Sequence, residues 1–550
     1  MASSATIQRV NDTHRWWQRG VVYQVYPRSF QDRDGDGVGD LPGILDRLDY
    51  LEWLGVDAIW LSPIFPSPMA DFGYDISDYT DVHPLFGSLA DLDRLIASLH
   101  ARGMKLMLDF VPNHTSDQHP WFLDSRSSRQ SPKRDWYIWR DARADGSPPN
   151  GYVAAFGGSA WEWDARTRQF YFHTFLKEQP ELEWANPAVR AAMSDVLRFW
   201  FRRGIDGFRI DVITLLGKHS AIQVAPDSVV IDPAVADDPV RASQARTAQV
   251  WGDEPGTHEV VAAIRAVADE FDDRVLVGEV YLPVERLVVY YGSAGEGIHL
   301  PFNFQLLELP WEPQPILEAI DRYEALLPPN AWPNWVLGNH DRSRVASRLG
   351  EAQARIAAVL LLTLRGTPTV YYGDELGMPD VPISRDQERD PFGLMEPGQS
   401  RDPERTPMRW DASPTAGFTA AEPWLPIGPR VAELNVEEER SDPHSVLHLY
   451  RQLLALRRQE RALSVGDYRS LGAESSVMAY ERTSGAERFL IVLNLGHEPA
   501  RVPLAARGLS GRIEVSTRVD REGSAFDDDF VLGPDEGIVV RPAIRAGRTA

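Results

Sequence analysis

The 550-residue chain predicts an α/β fold: a (β/α)8 TIM barrel with a subdomain inserted after strand three and a C-terminal antiparallel β domain. Three observations point there. Eight short, continuously apolar runs alternate with stretches of helical periodicity, as in a parallel sheet covered on both faces. Some seventy residues rich in Trp, Gly, Pro and Asp interrupt the alternation after the third run, too many for a plain βα loop. Near residue 465 the texture changes to short strands of alternating polarity. An open doubly wound sheet is the alternative, but no glycine-rich phosphate turn follows the first strand.

Taken in order, GVVYQVYP (20–27) reads as strand one, the helical LPGILDRLDYLEWLG follows, and VDAIWLSPIF is strand two. LADLDRLIASLHARG precedes strand three, KLMLDFVPNH (105–114). After the insertion, NPAVRAAMSDVLRFWFRRGI carries apolar residues at helical spacing and feeds GFRIDVIT (207–214). Residues 217–255 are polar with Pro and Asp, and read as a second insertion, a lid. Strands RVLVGEVY (274–281), IHLPFNF (298–304), NWVLGNHD (334–341) and TPTVYYGDEL (367–376) complete the eight. The last barrel helix spans 446–463, and VMAYERT, RFLIVLNLG, RIEVSTRV and GIVVRP then alternate as antiparallel strands. The division expected is 1–114 with 186–464 for the barrel, 115–185 for the subdomain, and 465–550 for a C-terminal β-sandwich.

Composition narrows the chemistry. A net charge of −23 disfavours nucleic acid and anionic membranes as partners, although solubility alone also explains it. No Cys occurs, so disulfides and thiol chemistry are excluded. No run of about 18 apolar residues exists, and the first residues lack an apolar segment, so a cytoplasmic protein without a membrane span is expected. The 17 Trp, 17 Tyr and 21 Phe suit stacking on sugars, though Trp is also a good core residue.

Barrels place their functional groups at the C-terminal ends of strands. Those ends carry Asp109 and His114, then Arg209 and Asp211, then Glu279, then His340 and Asp341. In GFRIDVIT, Arg209 and Asp211 share one side of a strand, so the guanidinium can hold the Asp as a carboxylate. A structural Arg–Asp pair explains that motif alone. Acids converging from several strands repel one another, and that cost marks catalysis or a metal. No HExxH-type spacing argues for a metal there, whereas paired carboxylates with His and Arg donors fit glycoside chemistry.

In order, DFVPNH, GFRIDVIT, VGEVY and LGNHD resemble the signature segments of the α-amylase superfamily of glycoside hydrolases, family 13. GVVYQVYPRSF, DFGYDISDY, FGGSAW, RDPERTPMRW and GTPTVYYGDELGM are similar to its α-glucosidase and oligo-1,6-glucosidase branch, from about Trp16 onward. The resemblance implies Asp211 as nucleophile, Glu279 as general acid/base, and Asp341 as a third acid on the sugar hydroxyls. It implies His114, Arg209 and His340 as donors around the non-reducing glucose, with Asp71 and Tyr74 gripping its far end and Arg401 pairing with Asp71. Phe156 and Phe175 match aromatic walls, with core packing as the alternative. A retaining mechanism wants the two working carboxyls about 5 Å apart, with Glu279 raised in pKa and Asp211 kept ionised by Arg209.

A second candidate site is QDRDGDGVGDL (31–41). Asp32, Asp34, Asp36, the Val38 carbonyl and Asp40 fall at alternate positions of a calcium loop, but Gly43 stands where the bidentate Glu would be. A solvated acidic turn is the alternative. The loop also resembles the structural Ca2+ site of oligo-1,6-glucosidases, and Mg2+ is a second option; no organic cofactor is expected. Two features depart from the family pattern: QPELE (179–183) has Glu183 in place of the usual Asn, and 217–255 matches poorly. Both are expected to affect acceptor preference. Val212 resembles members that accept α-1,6 linkages.

The expected function is an exo-acting, retaining α-glucosidase on short oligosaccharides or glucosides, with transglucosylation. A sucrose or trehalose isomerising relative shares the same acids. A non-catalytic binding subunit is a third reading, but such subunits lose the acids that Asp211, Glu279 and Asp341 retain here.

Overall fold

The computed structural model describes residues 14–218, 222, 252–503, 509–527 and 529–543. Eight parallel strands form one sheet. They are β1 (Val22–Val25), β2 (Ala58–Leu61), β3 (Lys105–Phe110), β4 (Gly207–Ile210), β5 (Val275–Gly278), β6 (Leu300–Pro301), β7 (Asn334–Val336) and β8 (Thr367–Tyr371). The ladder runs β7-β8-β1-β2-β3-β4-β5-β6, and a parallel bridge from Asn303 to Trp335 joins its two ends. This is a closed barrel. The sixth run, apolar over 298–304, keeps only two residues as strand because Pro301 has no N–H to give the ladder.

Each strand is buried on both faces, which explains why its sequence is continuously apolar. Val22, Ala58, Trp60, Met107, Val275 and Val277 pack together inside the barrel. Their alternate neighbours Tyr23, Ile59, Leu61, Leu106, Leu108 and Leu276 pack outward with the helix layer. Helices start at sequence-legible caps. Ser88 and Asp91 form a capping box on Leu89–Ala101, and Asn186 followed by Pro187 opens Pro187–Arg203. The single helix expected after β1 is two, Leu41–Asp46 and Leu48–Leu54, broken at Arg47.

The insertion after β3 contains three antiparallel strands, Trp139–Arg140, Gln169–Phe172 and Trp161–Asp164. It is tied back to the barrel by a bridge from His114 to Glu181 and closed on itself by one from Tyr137 to Leu182. The buried Lys218 ammonium lies 2.8 Å from the buried Glu181 carboxylate, clamping the insertion to the chain beyond β4. Most of the lid expected at 217–255 lies outside the described residues.

Helix Val446–Gln459 leads into a six-stranded antiparallel sheet, with a two-stranded sheet beside it. Two buried arginines build the junction with the barrel. Arg457 donates to the carbonyls of Leu362, Leu364 and Leu463 at 2.9–3.2 Å, and also to that of Gly366. Arg482, from the second strand of the sheet, donates to the carbonyls of Thr363 and Gly466. Helix Glu351–Thr363 thereby has its last carbonyls satisfied by side chains. Among the described residues, no helix is long and apolar enough to cross a membrane.

Candidate active site

Strand register brings the acids together. Asp109 on β3 lies beside Arg209 on β4, and Arg209 beside Val277 on β5. Asp211 and Glu279 follow directly after their strands, so their carboxyls emerge on the C-terminal rim. The Arg209 guanidinium is 1% exposed and serves three carboxylates. Its Nη1 donates to Asp109 Oδ1 at 2.9 Å and to Asp211 Oδ1 at 2.7 Å, while Nη2 lies 2.8 Å from Glu279 Oε2. The resemblance implies Arg209 as a donor around the sugar, and its spacing pairs it with Asp211. It lies beneath the cavity wall instead, shared among acids from three strands.

One cation for three acids leaves the cluster short of positive charge. Burial pushes the Asp211 carboxyl well above its usual range, with Glu279 and Asp109 adding to the rise and Arg209 opposing it. Burial likewise raises Asp109 to about 6 against the pull of Arg209. Arg209 favours the Asp211 carboxylate, while burial and the neighbouring acids oppose it. The free oxygens are nonetheless well defined. Glu279 Oε2 accepts the Val212 N–H at 2.8 Å besides facing Arg209, whereas Glu279 Oε1 and Asp211 Oδ2 accept nothing from the described residues. Val212 sits at φ 36° and ψ 45°, a left-handed conformation costly for a β-branched residue, and there its N–H meets Glu279.

Asp341 has the opposite surroundings. Burial disfavours its charge, but Arg401 at 3.2 Å and Arg405 at 2.8 Å outweigh that and hold it far below the usual carboxylate range. Its neighbour His340 is 1% exposed and drawn down to about 3 by burial, hence neutral. His340 stacks on Tyr74 at 5.6 Å with the rings 4° apart, and its Nε2 is 2.6 Å from the Tyr74 hydroxyl. Like Arg209, His340 is not in the cavity wall; it positions Tyr74, whose hydroxyl also donates to Asp109 at 3.2 Å.

The cavity above these groups has a volume of about 500 Å3. Asp71, Tyr74, His114, Phe156, Phe175, Asp211, Glu279, Asp341 and Arg401 all line it. Arg401 closes one end, donating to Asp71 at 2.9 Å and to Asp390 at 2.6 and 3.0 Å, with its guanidinium over the Phe156 ring. Phe156 stacks on Phe392 and meets Phe175, and all three line the cavity. His114 Nε2 faces the Tyr74 carbonyl and the Gln179 amide, each at 3.1 Å.

Several wall and supporting residues were not anticipated: Gln179, Tyr281, Arg342, Asp380, Phe392 and Glu404 in the wall, with Asp390 and Arg405 behind it. Arg405 and Glu404 stand in the quoted RDPERTPMRW segment, so a signal was present. Asp380, Asp390 and Phe392 sit in an aperiodic stretch that offers none. Glu183 is not in the wall; its carboxylate accepts the Ala185 N–H, and its charge acts on Lys218. The expected effect of this substitution on acceptors thus finds no contact in the cavity.

In the acidic loop, carboxylate oxygens of Asp32, Asp34 and Asp40 lie within 4.8 Å of one another. Asp36 falls outside this group, its Oδ1 instead accepting the Val38 N–H at 2.8 Å. Burial raises Asp40, and burial with the nearby Asp36 raises Asp34.

Comparison with known proteins agrees with this picture. The family model of the alpha amylase catalytic domain matches residues 24–466. A probable alpha-glucosidase of Rhizobium meliloti (strain 1021) is 40% identical over 92% of this chain and 95% of its own. An oligo-1,6-glucosidase of Parageobacillus thermoglucosidasius is 37% identical over 88% and 91%. Among solved structures, the alpha-glucosyl transfer enzyme XgtA superposes with a TM-score of 0.87 at 37% identity, over 96% of this chain and all of that one. The trehalulose synthase MutB from Pseudomonas mesoacidophila MX-45 gives 0.86 at 35%, over 97% and 100%.

The buried arginine at the cavity end yields a test. Arg401→Ala leaves the fully buried Asp390 without its cation, at a cost of about 3–5 kcal/mol. Burial opposes the Asp390 charge, but Arg401 holds its carboxyl below the usual range. That stabilisation is complete above the ordinary Asp pKa of about 4 and is lost as pH falls below it. Thermal denaturation of both proteins is expected to show a large deficit at neutral pH that shrinks in acid. An equal deficit at both pH values would show that the ion pair is not its source.

Proposed function

Because the chain belongs to the α-amylase family of glycoside hydrolases, we propose that it is an exo-acting, retaining α-glucosidase. It releases glucose from the non-reducing end of short α-glucosides, with transfer to acceptor sugars alongside hydrolysis. The observation that carries this reading is the wall of Asp71, Arg401 and Asp341 across one end of a cavity that also contains Asp211 and Glu279. A wall of salt-bridged side chains leaves no room for sugar beyond one terminal unit. It also offers fixed partners to that unit's hydroxyls, which an ill-fitting sugar would leave unpaired.

In the first half-reaction, Asp211 Oδ2 attacks the anomeric carbon while Glu279 Oε1 gives its proton to the departing glycosidic oxygen. The C–O bond breaks and a glucosyl ester on Asp211 forms. In the second, Glu279 takes a proton from water or an acceptor hydroxyl, whose oxygen bonds to the same carbon and releases Asp211. Asp341, held ionised by Arg401 and Arg405, accepts hydrogen bonds from ring hydroxyls. An isomerising relative is the second reading, favoured by the fold shared with MutB. Sucrose as substrate separates the two by its products.

Asp32, Asp34 and Asp40 fit a hard cation, since three carboxylates converge and an ion would relieve their repulsion. We read them as the holders of a structural Ca2+, which would add stability and take no part in the chemistry.

Three outcomes are expected. Asp211→Asn retains the fold by circular dichroism and loses turnover, and near-normal rates in that variant would remove Asp211 from the mechanism. Glucose is the first product from maltotriose, and soluble starch keeps its viscosity; early mixed oligosaccharides would show an open cleft. Chelation lowers the melting temperature more than it lowers activity at moderate temperature. If neither moves and elemental analysis finds no metal, the loop is only an acidic turn.

A further inference from the structure

The acids that line the cavity differ in how directly they are paired. Every guanidinium near the closed end is engaged. Arg401 holds Asp71, Asp390 and Asp341, and Arg405 holds Asp341 and the His340 carbonyl. The wall that continues past Asp341 through Arg342 and Ser343 carries two more acids, Asp380 and Glu404. Asp380 is oriented from behind, accepting the Ser343 hydroxyl and, at 2.8 Å, the Arg344 N–H. Glu404 is only 5% exposed and faces the cavity, and it makes no ion pair with any described residue. A buried carboxyl that lines a cavity without a direct ion pair is costly, even with Arg405 nearby.

We propose that Asp380 and Glu404 form an acidic acceptor-side subsite, which favours aglycones and acceptors bearing a protonated amine and disfavours those bearing a carboxylate or phosphate. The inference rests on the α-glucosidase reading and deepens it by naming the chemical class preferred in the second position. An ammonium here meets two carboxylates in a low-dielectric wall, whereas an anion meets their repulsion together with that of Glu279 and Asp341. Burial and the adjacent Asp380 push the Glu404 carboxyl well above its usual range, while Arg405 pulls it down and Asp341 adds to the rise. The preference therefore grows as pH rises and Glu404 ionises.

The test uses the full chain and three aryl α-glucosides with para CH2CH2CH2NH3+, CH2CH2CH2OH and CH2CH2CO2− groups, whose alkyl spacers insulate the phenol so that leaving abilities are matched. In the wild type, kcat/KM for the cationic glucoside is expected to exceed that for the anionic one by about tenfold or more. In Glu404→Gln the ratio falls several-fold toward one. A ratio near one in the wild type, or an unchanged ratio in Glu404→Gln, overturns the proposal. If that variant does not fold, Asp380→Asn replaces it, and an unchanged ratio there overturns the proposal. Failure to hydrolyse any of the three glucosides would sink the α-glucosidase reading itself. Hydrolysis of the neutral one without charge preference would sink only this subsite.

Discussion

The site depends on one buried guanidinium. Arg209 receives carboxylates from β3, from the end of β4 and from the end of β5, and no other described cation bridges those three. Burying so many charges is favourable only when geometry is fixed and hydrogen bonds are complete. Barrel register supplies the fixing, because Asp109, Arg209 and Val277 are neighbours across two ladders whose residues are held on both faces. Rigid strands thus decide where Asp211 and Glu279 point. The residual freedom lies in the two oxygens that face the cavity.

Around that centre, environment sorts identical side chains into different states. Asp109 and Asp211, sharing one cation, are pushed up by burial; Asp341, between two arginines, is pushed down. Such a separation lets neighbouring carboxylates act as different reagents at one pH. His340 is neutral for the same reason Asp109 is raised, since burial opposes charge of either sign.

Much of this was legible in the residues, and the rest failed for identifiable reasons. Strand ends were readable because a buried strand is apolar until the rim, so Asp211 and Glu279 stood out against their runs. Strand six was overread, since apolarity says nothing of Pro301's missing donor. Arg209 and His340 were drawn into the cluster from the strand ends, but spacing in a sequence does not separate a group beneath a cavity from one that lines it. The pairing of Arg401 with Asp71 came from the family resemblance, and the structure contains it at 2.9 Å. Asp380, Asp390 and Phe392 carried no periodic signal, for their place is decided by contacts with distant segments.

The arginine-lined junction between barrel and C-terminal sheet bears on how the chain reaches its folded state. The carbonyls that Arg457 and Arg482 cover end the helix that feeds β8, and β8 is the strand that pairs with β1 and β7. During synthesis those carbonyls are exposed to water until the segment around residue 482 has left the ribosome. The seam between the first and last strands is thereby unfinished through most of translation. A nascent chain of this protein therefore exposes the edges of β1 and β7 until β8 has emerged to pair with both.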